Sequence, residues 1–451
     1  VEELKDLYLE FEEQQALYSE GRIKTAPVAP VADHSELINT YSIIVERYPR
    51  KPGIEAVLYT LGYALFEGNS YDRAGEVFIK FLSMYPKSDY YPEVAFRLGE
   101  IYFDASMYNK AISTYSMILE REDPVYFEKA LYKISWCYYK LEEYSSSIDS
   151  FADLIDKVNE TQGAGTASLK AEAKAQIIGS LAHMSIPEEV MLKISSSATR
   201  EFAPTSLIGL ITLLNNQTRN QDALEVFNIF NTIFHSNKLL PLAQAKTIET
   251  YRGMNDTEAT LRVMEDMVKD FTPESPWYRS TFSDRKSPGA KEVDESVSKA
   301  LLTLSKHYHS INEKNNDPEM LLKAMEGYKK YLLYYPYTKN EKEVYLLLGE
   351  ASFSSKEYSD AASRYEKTMQ FYNGKQEGED AAFAALLSLE LVSAGASEEE
   401  ELDTAKSAEQ LGRIVGFFLN NFPETKRFDD FTFKASGIYT SMGYYKEARQ
   451  T

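Results

Sequence analysis

Residues 61–78 read LGYALFEGNSYDRAGEVF, residues 98–115 read LGEIYFDASMYNKAISTY, and residues 134–151 read ISWCYYKLEEYSSSIDSF. Laid over one another, they place a small residue at Gly62, Gly99 and Ser135, at intervals of 37 and 36 residues. Nine residues after each comes a tyrosine, Tyr71, Tyr108 or Tyr144. A small residue (Ala74, Ala111, Ser147) and then an aromatic ring (Phe78, Tyr115, Phe151) follow in step. A ring opposite a residue without bulk is what two crossing helices need in order to approach closely. Pro86 and Pro124 stand near the ends of the first two repeats, where a proline stops a helix because it cannot donate the backbone bond. The reading is a series of helical hairpins, and because one hairpin cannot bury both its faces, neighbours must stack.

Composition agrees with an all-α chain. Its 451 residues exceed an ordinary single domain, and only 21 Gly and 16 Pro punctuate them, sparse for a β-rich protein. With 69 acidic against 49 basic residues the formal charge is −20, which repels phosphate backbones, so nucleic acid is not expected as a partner. The single cysteine, Cys137, excludes an intramolecular disulfide and a multi-thiolate metal site. No run approaches the roughly 18 apolar residues of a membrane-spanning helix. Val1–Arg22 is charged throughout and lacks the apolar core of a signal peptide. Without an initiator Met, a leader or lipid-modified Cys upstream of Val1 stays open, and the chain is expected to continue beyond Thr451.

The phrase Leu-Gly-x-x-Tyr in a first helix, Ala-x-x-x-Phe in a second and a closing proline resembles the tetratricopeptide repeat family over Ile54–Val158. It recurs at Leu348-Gly349 with Tyr358, Ala361 and Tyr365, and at Ala435-Ser436 with Tyr439, Tyr445 and Ala448. Pro204–Phe234 follows it loosely, with Ile211 where Gly or Ser belongs. The resemblance implies a right-handed superhelical solenoid of tetratricopeptide-like hairpins. A narrower likeness lies in the helix ends Tyr48-Pro49, Tyr85-Pro86, Tyr335-Pro336 and Phe422-Pro423. This style is similar to bacterial periplasmic and outer-membrane tetratricopeptide lipoproteins, of the β-barrel assembly, Tol-Pal coordinator and gliding-machinery types. It implies a periplasmic protein, free or attached to the outer membrane by a lipid upstream, with the cytoplasm as the alternative.

Breaks in the pattern divide the chain. Residues 1–22 read as an amphipathic helix with Leu4, Leu7, Phe11, Leu17 and Tyr18 on one side, and 23–33 as a Pro- and Ala-containing tether. An N-terminal repeat array is expected over 34–159 and degenerate helical repeats over 160–271. The latter stretch opens with a Gly/Thr/Ser-rich loop from Glu160 to Ser168 and is interrupted at Ser185-Ile186-Pro187. Residues 272–290, with Pro273, Pro276, Trp277 and Pro288, read as an irregular insertion before a C-terminal array over 291–451.

Catalytic chemistry finds no foothold, and no enzyme activity, metal or cofactor is expected. His34, His183 and His235 stand apart, and His307 and His309 are spaced so that their side chains diverge on a helix. Cys137 has no histidine or basic context in sequence to activate it. Gly163-Ala164-Gly165 lacks the third glycine and preceding strand of a phosphate loop. Ser397 followed by Glu398–Glu401 reads as a helix cap with acids in the first turn.

The family resemblance further implies that the second, fifth, ninth, twelfth and thirteenth positions of each repeat face a concave groove. With Gly62, Gly99 and Ser135 as eighth positions, these are Ala56, Tyr59, Tyr63, Phe66 and Glu67, then Glu93, Phe96, Glu100, Phe103 and Asp104, then Lys129, Tyr132, Trp136, Tyr139 and Lys140. More than half are aromatic. Tyr59, Tyr63, Phe66, Glu67, Phe96, Glu100, Phe103, Asp104, Tyr132, Trp136 and Tyr139 form the expected partner-binding set, because aromatic anchors among polar neighbours suit a protein interface. Two occupants stay open, a partner segment and the chain's own residues 1–22. The expected function is a non-catalytic interaction scaffold of a bacterial cell-envelope assembly, its partners being peptide segments or subunits of that complex and not small-molecule substrates. The alternatives are a substrate-recruiting module of an enzyme whose catalytic part lies beyond residue 451, and a cytosolic co-chaperone-like adaptor. The latter, by family likeness, would need Lys, Arg and Asn where Glu67, Glu93, Glu100 and Asp104 stand.

Overall fold

The computed structural model describes residues 2–27, 34–161, 166–395 and 403–451. All 23 regular elements among the described residues are α-helices. The chain forms two compact units, Val1–Ser206 and Leu207–Thr451. The first holds α1 (Glu2–Ser19), α2 (Ser35–Arg47), α3 (Ile54–Glu67), α4 (Tyr71–Met84), α5 (Tyr91–Asp104), α6 (Tyr108–Leu119), α7 (Phe127–Lys140), α8 (Tyr144–Thr161), α9 (Thr166–His183) and α10 (Glu188–Ser196). Helix α11 (Phe202–Asn216) begins at its end. The second holds α12 (Asn220–Ile233), α13 (Leu240–Gly253), α14 (Thr257–Phe271), α15 (Pro276–Thr281), α16 (Pro288–Asn315), α17 (Pro318–Tyr334), α18 (Glu341–Ser354), α19 (Tyr358–Phe371), α20 (Gln376–Ser393), α21 (Thr404–Asn421), α22 (Phe428–Ser441) and α23 (Tyr445–Gln450).

The three quoted stretches are the hairpins α3/α4, α5/α6 and α7/α8, and Phe78, Tyr115 and Phe151 are buried in them. A Cβ added at Gly99 would overlap the Tyr115 ring, so the absent side chain is what admits that ring. At the third hairpin, where serine replaces glycine, the Ser147 hydroxyl donates to the Ser135 carbonyl at 3.1 Å and ties the two helices. The turns close alike. A residue in the left-handed region, Asn69, Ser106 or Glu142, reverses the chain. The next backbone N–H then bonds back into the first helix, Ser70 to Leu65 at 2.8 Å, Met107 to Tyr102 at 2.8 Å and Glu143 to Tyr138 at 2.9 Å. In the second unit Arg219 to Leu214, Asp256 to Tyr251 and Glu357 to Ser352 repeat this closure at 2.9 Å each. One buried cluster runs from Val45 through Leu58, Phe81 and Leu98 to Cys137.

Several local expectations are corrected. Pro124 does not stop α6, which ends at Leu119. Glu122 there turns into the left-handed region, and the Asp123 carboxylate caps the next segment by accepting from the Val125 and Tyr126 N–H groups. The expected loop from Glu160 to Ser168 is helical at both ends, since α8 reaches Thr161 and α9 starts at Thr166; residues 162–165, with the Gly163-Ala164-Gly165 stretch, lie outside the described residues. So do residues 28–33 of the expected tether and the Ser397–Glu401 cap. Helix α21 is capped by Asp403, whose carboxylate accepts from the Lys406 N–H at 3.0 Å.

Residues 272–290 carry the short helix α15, and two Ser-Pro steps organise them. Ser275 accepts from the Tyr278 N–H at 3.1 Å, Ser287 accepts from the Ala290 N–H at 3.4 Å, and each following proline opens a helix. Trp277 lies edge-on between Phe271 and Phe282, at 4.8 and 6.0 Å. Helices α18/α19 and α22/α23 are the two later repeats the spacing identifies. The pairings α16/α17 and α19/α20 pack as closely as α18/α19, although the sequence motif passes them by.

Candidate functional site

Helices α3, α5, α7 and α9 lie side by side through their side chains. The Tyr59 hydroxyl donates to Glu93 at 3.0 Å, joining α3 to α5. Lys133 pairs with Glu100 at 2.9 Å, joining α7 to α5. Tyr132 donates to Glu172 at 2.5 Å, and the Tyr139 hydroxyl meets His183 Nε2 at 3.2 Å, joining α7 to α9. Burial and the bond to Glu93 together push the Tyr59 hydroxyl up to about 12, so it stays a donor at any physiological pH.

The sequence-selected aromatic residues stand along α3, α5 and α7 as a belt, each ring in contact with a neighbouring ring or cation. Tyr59 stacks on Tyr90 at 4.3 Å, and Phe66 meets Tyr71 edge-on at 5.5 Å. Phe96 leans on Tyr126 at 5.5 Å, and Trp136 meets Tyr139 edge-on at 5.6 Å. Tyr63 is 37% exposed; Tyr59, Phe66, Phe96, Phe103, Tyr132, Trp136 and Tyr139 are half-buried. Phe103 and Trp136 also touch second helices of their hairpins, Tyr108 at 5.6 Å and Phe151 at 6.1 Å, so their inner edges belong to the packing while their outer faces belong to the belt.

The carboxylates divide into two kinds. Glu100 accepts from the buried Tyr115 hydroxyl and pairs with Lys133, and Glu93 accepts from Tyr59, so both hold the repeats together. Burial, followed by the bond to Glu100, holds the Tyr115 hydroxyl far above its usual range. Glu67 and Asp104 are exposed and form no ion pair among the described residues.

Two cations on this face were not singled out by sequence reasoning. The Arg97 guanidinium lies over Tyr63 at 5.5 Å and Phe66 at 5.2 Å, and its buried Nε has no hydrogen-bond partner. The Lys133 ammonium lies over Phe103 at 4.8 Å. Each stands two residues before the small residue of its repeat, Gly99 or Ser135, and that recurrence is the signal that would have found them. They make the face mixed in charge rather than simply acidic. It also extends one helix beyond the expected three repeats, to Glu172 and His183 of α9, where His183 stacks on Tyr144 at 4.9 Å.

Helix α1 does not engage this belt through any polar or ring contact of its described side chains. The bonds of Gln14, Ser19 and Arg22 stay within the helix and the turn after it. Cys137 is buried, and burial pushes its thiol up to about 12, which keeps it protonated and poor as a nucleophile.

The tetratricopeptide repeat family model matches residues 56–88 and 129–158, so the chain carries tetratricopeptide repeats. No curated protein matches the chain. Among solved structures, it is similar to a tetratricopeptide repeat protein from Parabacteroides merdae, at 16% identity over 77% of this chain and 99% of that one, with a TM-score of 0.26. It is likewise similar to the C-terminal part of a tetratricopeptide protein from Cytophaga hutchinsonii, at 14% identity over 63% and 98% and a TM-score of 0.26. The TPR2AB domain of yeast Sti1 in complex with pHSP90 is similar at 11% identity over 81% and 99%, with a TM-score of 0.27. Superpositions this loose carry nothing about function.

Proposed function

We propose that the belt on α3, α5, α7 and α9 binds a segment of a partner protein, and that the chain serves as a non-catalytic scaffold in a bacterial cell-envelope assembly. One observation carries the reading: a row of half-buried rings runs over α3, α5 and α7 and is tied to α9 by hydrogen bonds, with two cations laid on it and two unpaired carboxylates beside it. Rings held edge-on by their neighbours offer large apolar area at little rotamer cost. Glu67 and Asp104 attract basic residues of the partner and speed its approach, and Arg97 and Lys133 add positive charge over the rings. The tetratricopeptide repeats at 56–88 and 129–158 support the scaffold role. The helix ends Tyr48-Pro49, Tyr85-Pro86, Tyr335-Pro336 and Phe422-Pro423 support the envelope assignment and a periplasmic location.

A photo-crosslinking side chain at Tyr63, introduced in the native cell, tests this. It should capture a defined envelope protein, and Phe103→Ala/Trp136→Ala should abolish the adduct while the helical circular dichroism persists. Glu67→Lys/Asp104→Lys should slow association and flatten its salt dependence. An adduct formed only with the chain's own residues 1–22 would replace a partner by self-packing, and fractionation of the protein with the cytosol would remove the envelope assignment.

A further inference from the structure

The second unit contains a cleft of about 1170 Å³ between α16, the end of α17 and the start of α18, and its charge is opposite to that of the chain. Lys291, Lys299 and Lys306 line it from α16, at a spacing that keeps them on one stripe of that helix, and Arg285, Lys286 and Lys339 line it from the connecting segments. Two of these six cations are neutralised in place: Arg285 pairs with Asp294 at 3.0 Å and Lys306 with Glu343 at 2.6 Å. Lys286, Lys291, Lys299 and Lys339 form no ion pair among the described residues, and the only unpaired carboxylate lining the cleft with them is Glu295. In a chain of net charge −20, four unpaired ammonium groups facing one carboxylate are a local reversal of sign.

The cleft also has an aromatic component. Tyr335 lines it at 4% exposure, and its buried hydroxyl has no hydrogen-bond partner. Tyr337 stands at its edge, 92% exposed, with φ at 62°. It is the only aromatic residue among the described non-glycine residues in the left-handed region, a conformation a bulky side chain adopts at a cost. Its N–H donates to Glu341 at 3.0 Å, which holds the backbone there while the ring projects free.

We infer that this cleft binds an extended acidic segment of another protein, its side-chain carboxylates meeting the row of lysines and its apolar side chains meeting the exposed ring of Tyr337. The spread of the charge favours a stretch over a single carboxylate. The two unpaired cations of the stripe, Lys291 and Lys299, lie about 12 Å apart along the axis of α16. That length spans roughly four residues of extended chain, so the two ammonium groups meet two separate carboxylates. Like charge elsewhere on the protein disfavours polyanions that cannot concentrate their charge in the cleft. The site shares no residue with the belt of the first unit, so it stands whether or not that belt binds a partner.

The test uses the full chain and a fluorescent, end-blocked peptide of alternating Glu and Leu, followed by anisotropy at low salt. The peptide should bind, its Gln-for-Glu counterpart should not, and freeing its terminal carboxylate should add little. Lys291→Glu/Lys299→Glu should weaken binding about tenfold or more, and Lys339→Glu, in a loop where no helix is at risk, should weaken it in the same direction. Glu67→Lys/Asp104→Lys in the first unit should leave it unchanged. No binding at low salt overturns the inference, as does binding undiminished in both lysine variants. Tighter binding of a single-stranded oligonucleotide of equal charge would assign the cleft to nucleic acid instead.

Discussion

The crossing of α5 with α6 and the crossing of α16 with α17 solve the same problem from opposite sides. In the first, Gly99 on the leading helix leaves a gap that the Tyr115 ring of the following helix fills. In the second, the gap is on the following helix, at Gly327, and the leading helix brings only Ser305, whose hydroxyl is satisfied by the Leu301 carbonyl at 2.8 Å. What recurs along the molecule is therefore a vacancy shared by two helices, not a glycine at a fixed position. Close packing needs the summed volume at the crossing to be right, and either partner can supply the small member.

The comparison breaks most readily at the two glycines. Gly99→Leu and Gly327→Leu should each cost about 1 to 3 kcal/mol by overpacking, read as faster amide exchange confined to the first unit in one case and to the second in the other. Partner changes sharpen it. Tyr115→Ala should recover part of the loss in Gly99→Leu, and Ser305→Gly should recover part of the loss in Gly327→Ala, whereas the crossed combinations should be additive. Additivity in every pair would mean that these residues do not share a crossing.

A smaller difference between the units should appear with pH. His309 of α16 is buried against Tyr328, its Nδ1 at 3.4 Å from the hydroxyl. Burial lowers its pKa, against a weaker opposing pull from Glu313. The folded unit then takes up that proton less readily than the unfolded chain. The stability His309 contributes is present above pH of about 6.5 and falls away as pH drops from there toward the lowered value. His309→Asn should flatten denaturation midpoints over that window in the second unit, and an unchanged slope would place the acid sensitivity elsewhere. The smallest effect should come from Gly437, in α22, where an added Cβ would meet nothing within 4 Å. There Gly437→Ala should stabilise by about 0.5 to 1 kcal/mol, the reverse of Gly99→Leu, because helix propensity acts without a packing penalty.

The same contrast explains which parts were legible in sequence. Hairpins α3/α4, α5/α6 and α7/α8 could be read because the small residue and its ring keep a fixed order, and α18/α19 because Gly349 and Tyr365 repeat it. Helices α16 and α17 could not, since exchanging the small residue between them erases the phrase while leaving the packing intact. The belt was legible residue by residue along three helices, but its reach to α9 was not, because that helix contains no aromatic residue and contributes Glu172 and His183 as hydrogen-bond partners instead. Arg97 and Lys133 were passed over for a different reason. A cation lying over a ring of the preceding repeat depends on how two repeats stack, and a one-dimensional pattern lists the ring and the charge some thirty residues apart without joining them.

The two tryptophans have an optical consequence. Trp136 stands in the belt of the first unit, against Tyr139 and Phe151, and Trp277 is wedged between Phe271 and Phe282 in the second. Each unit thus has one tryptophan. With Trp277→Phe, emission follows the first unit alone and shifts when anything covers the belt; with Trp136→Phe, it reports only on the second. Unfolding of the two units, and occupancy of the belt, can then be followed separately in two unlabelled single-tryptophan variants.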